Sequence, residues 1–183
     1  MTSDLEINYQ TRCESPSDIN QHLPTLRRYA EECEHITEMG VRWVVSTFAF
    51  MAGLPKKLIS YDIDPLENWG FKTEEIVDLA KENGIEFQFK IANTLDLEIE
   101  ETDLLFLDTD HTYNQVKGEL SLHGNKSKKF IIFHDTTTFE FKGMNGDTIG
   151  LWPAIEEFMS ENPHWVICER FYNNNGLTIL KRI

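Results

Sequence analysis

Short, nearly continuous apolar runs alternate along this chain with stretches in which apolar residues recur at helical spacing. Ser17-Asp18 reads as a helix start, and Ile19, Leu23 and Leu26 follow on one face, which predicts a helix over residues 17–34. A strand over 35–38 ends at Gly40, and a helix over 46–52 follows it. A strand over 57–63 then leads to a helix over 73–83 closed by Gly84. Next come a strand over 85–91, a buried strand over 103–107, a helix over 113–123, a second buried strand over 129–133 and a helix over 152–160. Strands over 165–169 and 177–180 end the pattern, joined through Asn173-Asn174-Asn175-Gly176, a hairpin signal. The first dozen residues are polar, and residues 1–16 are expected to be a flexible extension.

Strands alternating with helices predict an α/β fold: a doubly wound, mostly parallel, Rossmann-like seven-stranded sheet with an antiparallel C-terminal strand. A chain of 183 residues with no repeat and no linker is expected to be a single domain, residues 1–183. With 40% hydrophobic and 11% aromatic residues, it is too apolar for a disordered chain. Lys and Arg number 17 against 31 Asp and Glu, a net charge of −14, which counts against nucleic acid or an anionic membrane as partner. Cys13, Cys33 and Cys168 form no CxxC pair, so neither a zinc knuckle nor a thioredoxin-like site is encoded. The start, Met1-Thr2-Ser3-Asp4, lacks the basic-then-apolar pattern of a signal peptide. The longest apolar stretch, residues 43–54, is interrupted by Ser46 and Thr47 and is too short to cross a bilayer. Together these features predict a cytoplasmic protein acting on a small molecule, with a homo-oligomer compatible with all of them.

In a doubly wound sheet, ligands bind beyond the carboxyl ends of the strands. The first such end reads Glu38-Met39-Gly40-Val41-Arg42-Trp43-Val44-Val45-Ser46. Gly40 permits a tight turn, and the helix start beyond it offers N–H groups and the Ser46 hydroxyl to a carboxylate-bearing ligand. Arg42 stands at the second glycine position of the dinucleotide fingerprint, which disfavours a nicotinamide cofactor. A plain strand-to-helix turn is the alternative reading. The second end carries Asp62, placed to accept from ribose hydroxyls, with Asp64 ahead of Pro65 as the alternative. Asn93-Thr94 follow the third strand.

The fourth and fifth ends read Asp108-Thr109-Asp110-His111-Thr112-Tyr113 and Phe133-His134-Asp135-Thr136. Neighbouring parallel strands would bring Asp108, His134 and Asp135 together as ligands for a divalent metal with open water positions. His111 is an imidazole able to take a proton near neutral pH. Helix capping for Asp110 or His111, and a core hydrogen bond for His134, are the structural alternatives. Residues 136–149 are expected to form a mobile substrate loop.

Taken in order, the Glu38–Trp43 turn, the Asp62 strand end, Leu105-Phe106-Leu107-Asp108-Thr109-Asp110-His111-Thr112-Tyr113 and Phe133-His134-Asp135-Thr136 resemble class I S-adenosylmethionine-dependent methyltransferases. The likeness is to the branch holding macrolide sugar and rhamnosyl O-methyltransferases and cephalosporin-hydroxylase-like proteins. Gly150-Leu151-Trp152-Pro153-Ala154 and Asn174-Asn175-Gly176-Leu177 extend it over residues 17–182. The resemblance implies methyl transfer from S-adenosylmethionine to a hydroxyl of a small molecule or sugar. It implies that Glu38 and Gly40 shape the cofactor loop, Ser46 meets the methionine carboxylate, Asp62 binds the ribose, and Asn93 and Thr94 border the adenine. Asp108 and Asp135, with His134 where relatives have a carboxylate or amide, would hold Mg2+, and His111 would be the general base. Val44 stands where the family commonly has glycine. A non-catalytic cofactor-binding or assembly protein on the same fold is the alternative.

Overall fold

A computed structural model of the chain describes residues 3–144, 146 and 148–183, which fall into two units, Met1–Asn93 and Thr94–Ile183. In the first unit, the expected flexible extension is a helix from Asp4 onward. α1 (Asp4–Glu14) is capped by Ser3, whose hydroxyl accepts from the Glu6 N–H at 3.2 Å. It buries only Leu5 and Tyr9, one turn apart, which is too sparse an apolar stripe to be read from sequence. Arg12 anchors its end, with the guanidinium 3.7 Å from the centre of the Phe48 ring and Nε donating to the Val44 carbonyl at 3.2 Å.

The helix expected over 17–34 is broken. A 3-10 turn, Asn20–His22, precedes α2 (Leu23–Ala30). Pro24 accounts for the break, because it has no N–H for the carbonyl four residues back and its ring crowds that carbonyl.

β1 (His35–Met39), β2 (Lys57–Asp62) and β3 (Glu86–Ile91) are parallel, in the order β3-β2-β1. α3 (Val45–Ala52) and α4 (Thr73–Glu82) make the crossovers. Met39 pairs with Tyr61, so the Gly40 turn and the Asp62 strand end emerge side by side.

In the second unit, β4 (Thr102–Leu107) leads to α5 (Tyr113–His123), and β5 (Ser127–His134) to α6 (Trp152–Glu161). β6 (Trp165–Phe171) and β7 (Leu177–Arg182) form the C-terminal hairpin. The strand order is β4-β5-β7-β6. β4 and β5 are parallel, while β7 runs antiparallel to both β5 and β6. Leu107 lies opposite Phe133, so the two chemistry-bearing strand ends are in register. β5 runs one residue beyond the expected strand, which makes His134 its last member, paired with Leu177. The hairpin turn is left-handed at Asn174, Asn175 and Gly176, as the Asn-Gly signal requires. The loop expected over 136–149 includes positions 145 and 147, which lie outside the described residues. Its flanks pair through a bridge between Lys142 and Ile149. Among the described residues no helix is long and apolar enough to cross a membrane.

Candidate functional site

In the first unit the turn after β1 is built on Glu38, a fully buried carboxylate. Burying that charge is costly unless it is hydrogen-bonded. Three hydroxyls satisfy it: Ser46 at 2.6 Å, Thr47 at 2.8 Å and Ser60 at 2.6 Å. The network ties β1, β2 and the start of α3 together. It also commits the Ser46 proton to Glu38, so Ser46 can meet a ligand only as an acceptor.

Gly40 takes φ +85, and its N–H donates to the Tyr61 carbonyl at 2.9 Å. Beyond it, Arg42 at φ +45 and Val44 at φ +59 hold left-handed conformations, which cost non-glycine residues about 1–2 kcal/mol each. The backbone therefore takes glycine-favoured conformations at two positions with larger side chains in place.

Asp62 is what braces this turn. Its Oδ2 accepts from the N–H groups of Val41 at 2.8 Å and Arg42 at 3.0 Å, and its Oδ1 from that of Asp64 at 3.0 Å. An ionised carboxylate offers about four acceptor positions, so one remains on Oδ1. Asp62 can thus take a single ribose hydroxyl without releasing the turn, whereas gripping both hydroxyls needs an N–H to let go. Beside it, Ile63 is 71% exposed. Trp43 meets Trp69 edge-to-face at 5.6 Å, with the Arg42 guanidinium over both rings.

The pair Asn93-Thr94 splits. Asn93 is exposed, while Thr94 is buried with its hydroxyl donating to Glu119 at 2.6 Å and accepting from Gln115 at 3.1 Å. Only Asn93 presents its side chain outward.

In the second unit, Asp108, His111 and Asp135 bring their ligand atoms within 4.8 Å of one another. His111 Nε2 lies 2.7 Å from Asp135 Oδ2 and 3.5 Å from Asp108 Oδ1. The His111 ring stacks on Phe139 with 2° between planes and centroids 4.6 Å apart. Burial disfavours the charged imidazolium of His111, but hydrogen bonds and charge from Asp108 and Asp135 outweigh it and push the pKa up to about 9. Burial likewise opposes the charge on Asp135 and on Asp108. The two histidines outweigh it and hold Asp135 far below the usual carboxylate range and Asp108 below it too.

His134, expected among the metal ligands, lies against the same two carboxylates. Its Nδ1 is 3.3 Å from Asp108 and 3.4 Å from Asp135, and its Nε2 is 3.3 Å from the Asn174 carbonyl. A ring between acceptors on both sides is best placed to carry both protons, and the carboxylates raise its pKa well above the ordinary value against the opposing effect of burial. His111 and His134 thus both lie against Asp108 and Asp135, with His111 the nearer to Asp135. The cap of α5 is Thr112, whose hydroxyl accepts from the Gln115 N–H, so His111 is not needed as a cap. Phe139 and Glu119 were missed from sequence. Glu119 left a signal, because on the predicted helix it falls on the same face as Val116, Leu120 and His123.

No family model and no curated protein matches this chain, but solved structures do. A Staphylococcus aureus protein assigned as a caffeoyl-CoA O-methyltransferase superposes with TM-score 0.71 at 13% identity, over 100% of this chain and 93% of that one. The Bacillus cereus O-methyltransferase in complex with S-adenosylhomocysteine gives 0.65 at 15%, over 98% and 90%. The S-adenosylhomocysteine-bound Podospora anserina methyltransferase gives 0.60 at 14%, over 100% and 89%. The fold is thus the Rossmann-like one of the class I O-methyltransferases, as the alternating pattern predicts.

Proposed function

We propose that this protein is an S-adenosylmethionine-dependent methyltransferase acting on a hydroxyl of a small molecule or sugar. The observation that carries the reading is His111. Its Nε2 faces Asp135 at 2.7 Å, while its Nδ1 is buried without a partner. The pKa of about 9 leaves the ring charged near neutral pH; its base form, which grows toward pH 9, keeps Nε2–H on Asp135 and the lone pair on Nδ1, an arrangement in which a carboxylate orients a histidine base. Nδ1 is then the atom that takes the acceptor's proton, and Phe139 fixes the plane of the ring.

The cofactor's residues fit. Gly40 turns the chain, Glu38 holds the turn, and Asp62 retains one open acceptor position for a ribose hydroxyl. Exposed Ile63 and Asn93 would border the base. When bound, the sulfonium supplies an activated methyl group. The chain's own work is to align the acceptor hydroxyl and remove its proton at His111.

A divalent cation fits as well. Asp135 Oδ1 is buried without a partner, and Asp108, His111 and Asp135 would be the ligands, in which case His111 would give its lone pair to the cation and would not serve as the base. One nitrogen among oxygens suits Mn2+ better than the Mg2+ the resemblance implies. A bound cation would supply Lewis-acid polarisation of the hydroxyl. The net charge of −14 disfavours nucleic acid as the acceptor, and three cysteines outside any disulfide suit a reducing compartment such as the cytoplasm.

Calorimetry with S-adenosylhomocysteine and with NAD tests the reading. Binding of the first and not the second is expected, followed by transfer of labelled methyl from S-adenosylmethionine to members of a panel of sugars and phenols. Failure to bind S-adenosylhomocysteine overturns the assignment.

A further inference from the structure

Glu119 is a fully buried carboxylate on α5, remote in sequence from every strand end and unused by the chemistry above. Its partners come from three segments. The Thr94 hydroxyl donates to Oε1 at 2.6 Å, and the Gln115 amide donates to Oε1 at 2.9 Å. The Thr109 hydroxyl lies 2.9 and 3.0 Å from the two oxygens. Thr109 is the residue between Asp108 and Asp110, so its side chain is held inside the acidic loop, at a bend of the backbone.

The other end of the clasp is the turn at Thr94. Gln115, Glu119 and His123, spaced four apart on one face of α5, all reach it. Gln115 Nε2 donates to the Thr94 hydroxyl at 3.1 Å, Glu119 accepts from that hydroxyl, and His123 Nε2 lies 2.8 Å from the Thr94 carbonyl. Burial pushes the Glu119 carboxyl above its usual range despite these bonds, so the site sacrifices ease of burial to keep an acceptor there. An apolar residue would pack the helix at less cost.

We propose that Glu119 is a positioning residue for the proton-transfer loop: through Thr109 it fixes the backbone that presents Asp108 and His111, with the Thr94 turn as its anchor. The role rests on the methyltransferase reading, and it acts entirely through other residues.

The test uses side-chain 15N-histidine spectra of the full chain at one fixed pH, with the His111 signals identified by their loss in His111→Gln. In Glu119→Gln and Thr109→Val the His111 ring signals are expected to leave their wild-type positions. Thr109→Ser, which keeps the hydroxyl, is expected to restore them. A role in packing alone would lower the thermal midpoint and leave the ring signals in place, and that result in Thr109→Val overturns the proposal even if Glu119→Gln fails to fold. Calorimetry with S-adenosylhomocysteine on the wild type separates the two levels. No binding there overturns the methyl-transfer reading, and with it the service of Glu119 to that reaction. Binding with unmoved ring signals overturns the Glu119 assignment alone.

Discussion

His111 Nε2 lies 2.7 Å from Asp135 Oδ2, and Asp135 delivers that oxygen from a left-handed backbone, φ +61, immediately after β5. A non-glycine residue held there costs about 1–2 kcal/mol. Asp is among the residues that tolerate the region best, and here its strain is offset by a charge-assisted hydrogen bond inside the fold.

Removing that charge without changing the side chain's shape isolates its effect. Asp135→Asn leaves burial as the dominant influence on His111, with only Asp108 opposing it. The ring's pKa should fall from about 9 toward or below 6.5, as a histidine NMR titration would record. Methyl transfer should slow by roughly 10²–10⁴-fold, the usual scale for disabling a general base. A titration unchanged from wild type would mean that Asp135 does not govern His111.

Asp62 should matter twice. Asp62→Ala removes the acceptor of the Val41 and Arg42 N–H groups as well as the ribose contact. Stability should drop by about 1–3 kcal/mol for the donors left unsatisfied, and S-adenosylhomocysteine affinity by about 1.5–3 kcal/mol for a lost bond to a charged group. Urea unfolding and calorimetry on the same variant measure the two effects. Weakened binding with unchanged stability would show that the brace across the turn contributes nothing.

Much of this was legible in the sequence because the residues concerned announce themselves locally. Buried runs such as 104–107 and 130–133, the Asn-rich hairpin turn and the start of α5 at Tyr113 each follow from a few adjacent residues. The site was legible as a set of strand ends. What stayed hidden depends on long-range partners. Nothing near Asp62 in sequence says that its oxygens meet amides about twenty residues earlier. Nothing near Ser46 or Thr94 says that their hydroxyls turn inward to Glu38 and Glu119. α1 was missed because its anchor is not a stripe of apolar residues but one arginine laid over Phe48.

Arg42 gives a prediction of opposite sign. It is exposed, with φ +45, so Arg42→Gly removes about 1–2 kcal/mol of backbone strain. It also adds about 0.5–1 kcal/mol of unfolded-chain entropy. The variant should be as stable as wild type or up to about 1.5 kcal/mol more stable, whereas β-branched Arg42→Val should be less stable. Thermal melts of the pair decide it. A marked loss in Arg42→Gly would mean that the guanidinium's contacts with Trp43 and Trp69 outweigh the strain.

Stability should depend on pH in two opposite limbs, both arising in the second unit. Burial lowers the pKa of His123 below 6.5. As pH falls through 6.5 the unfolded chain takes up a proton that the folded chain refuses, and stability declines on the acid side. His111 is raised to about 9 and His134 is raised as well. Their contribution is fully present below 6.5 and is lost as pH climbs through 6.5 toward 9, because the folded state then holds protons that the unfolded state has released. His123→Gln can still offer an amide N–H to the Thr94 carbonyl and should flatten the acid limb between pH 5 and 6.5 relative to wild type. His111→Gln should flatten the alkaline limb and leave the acid one intact. Chemical denaturation at half-unit pH intervals on the three proteins would reveal the limbs, and a His111→Gln profile parallel to wild type from pH 6.5 to 9 would show that His111 holds no extra proton in the folded state.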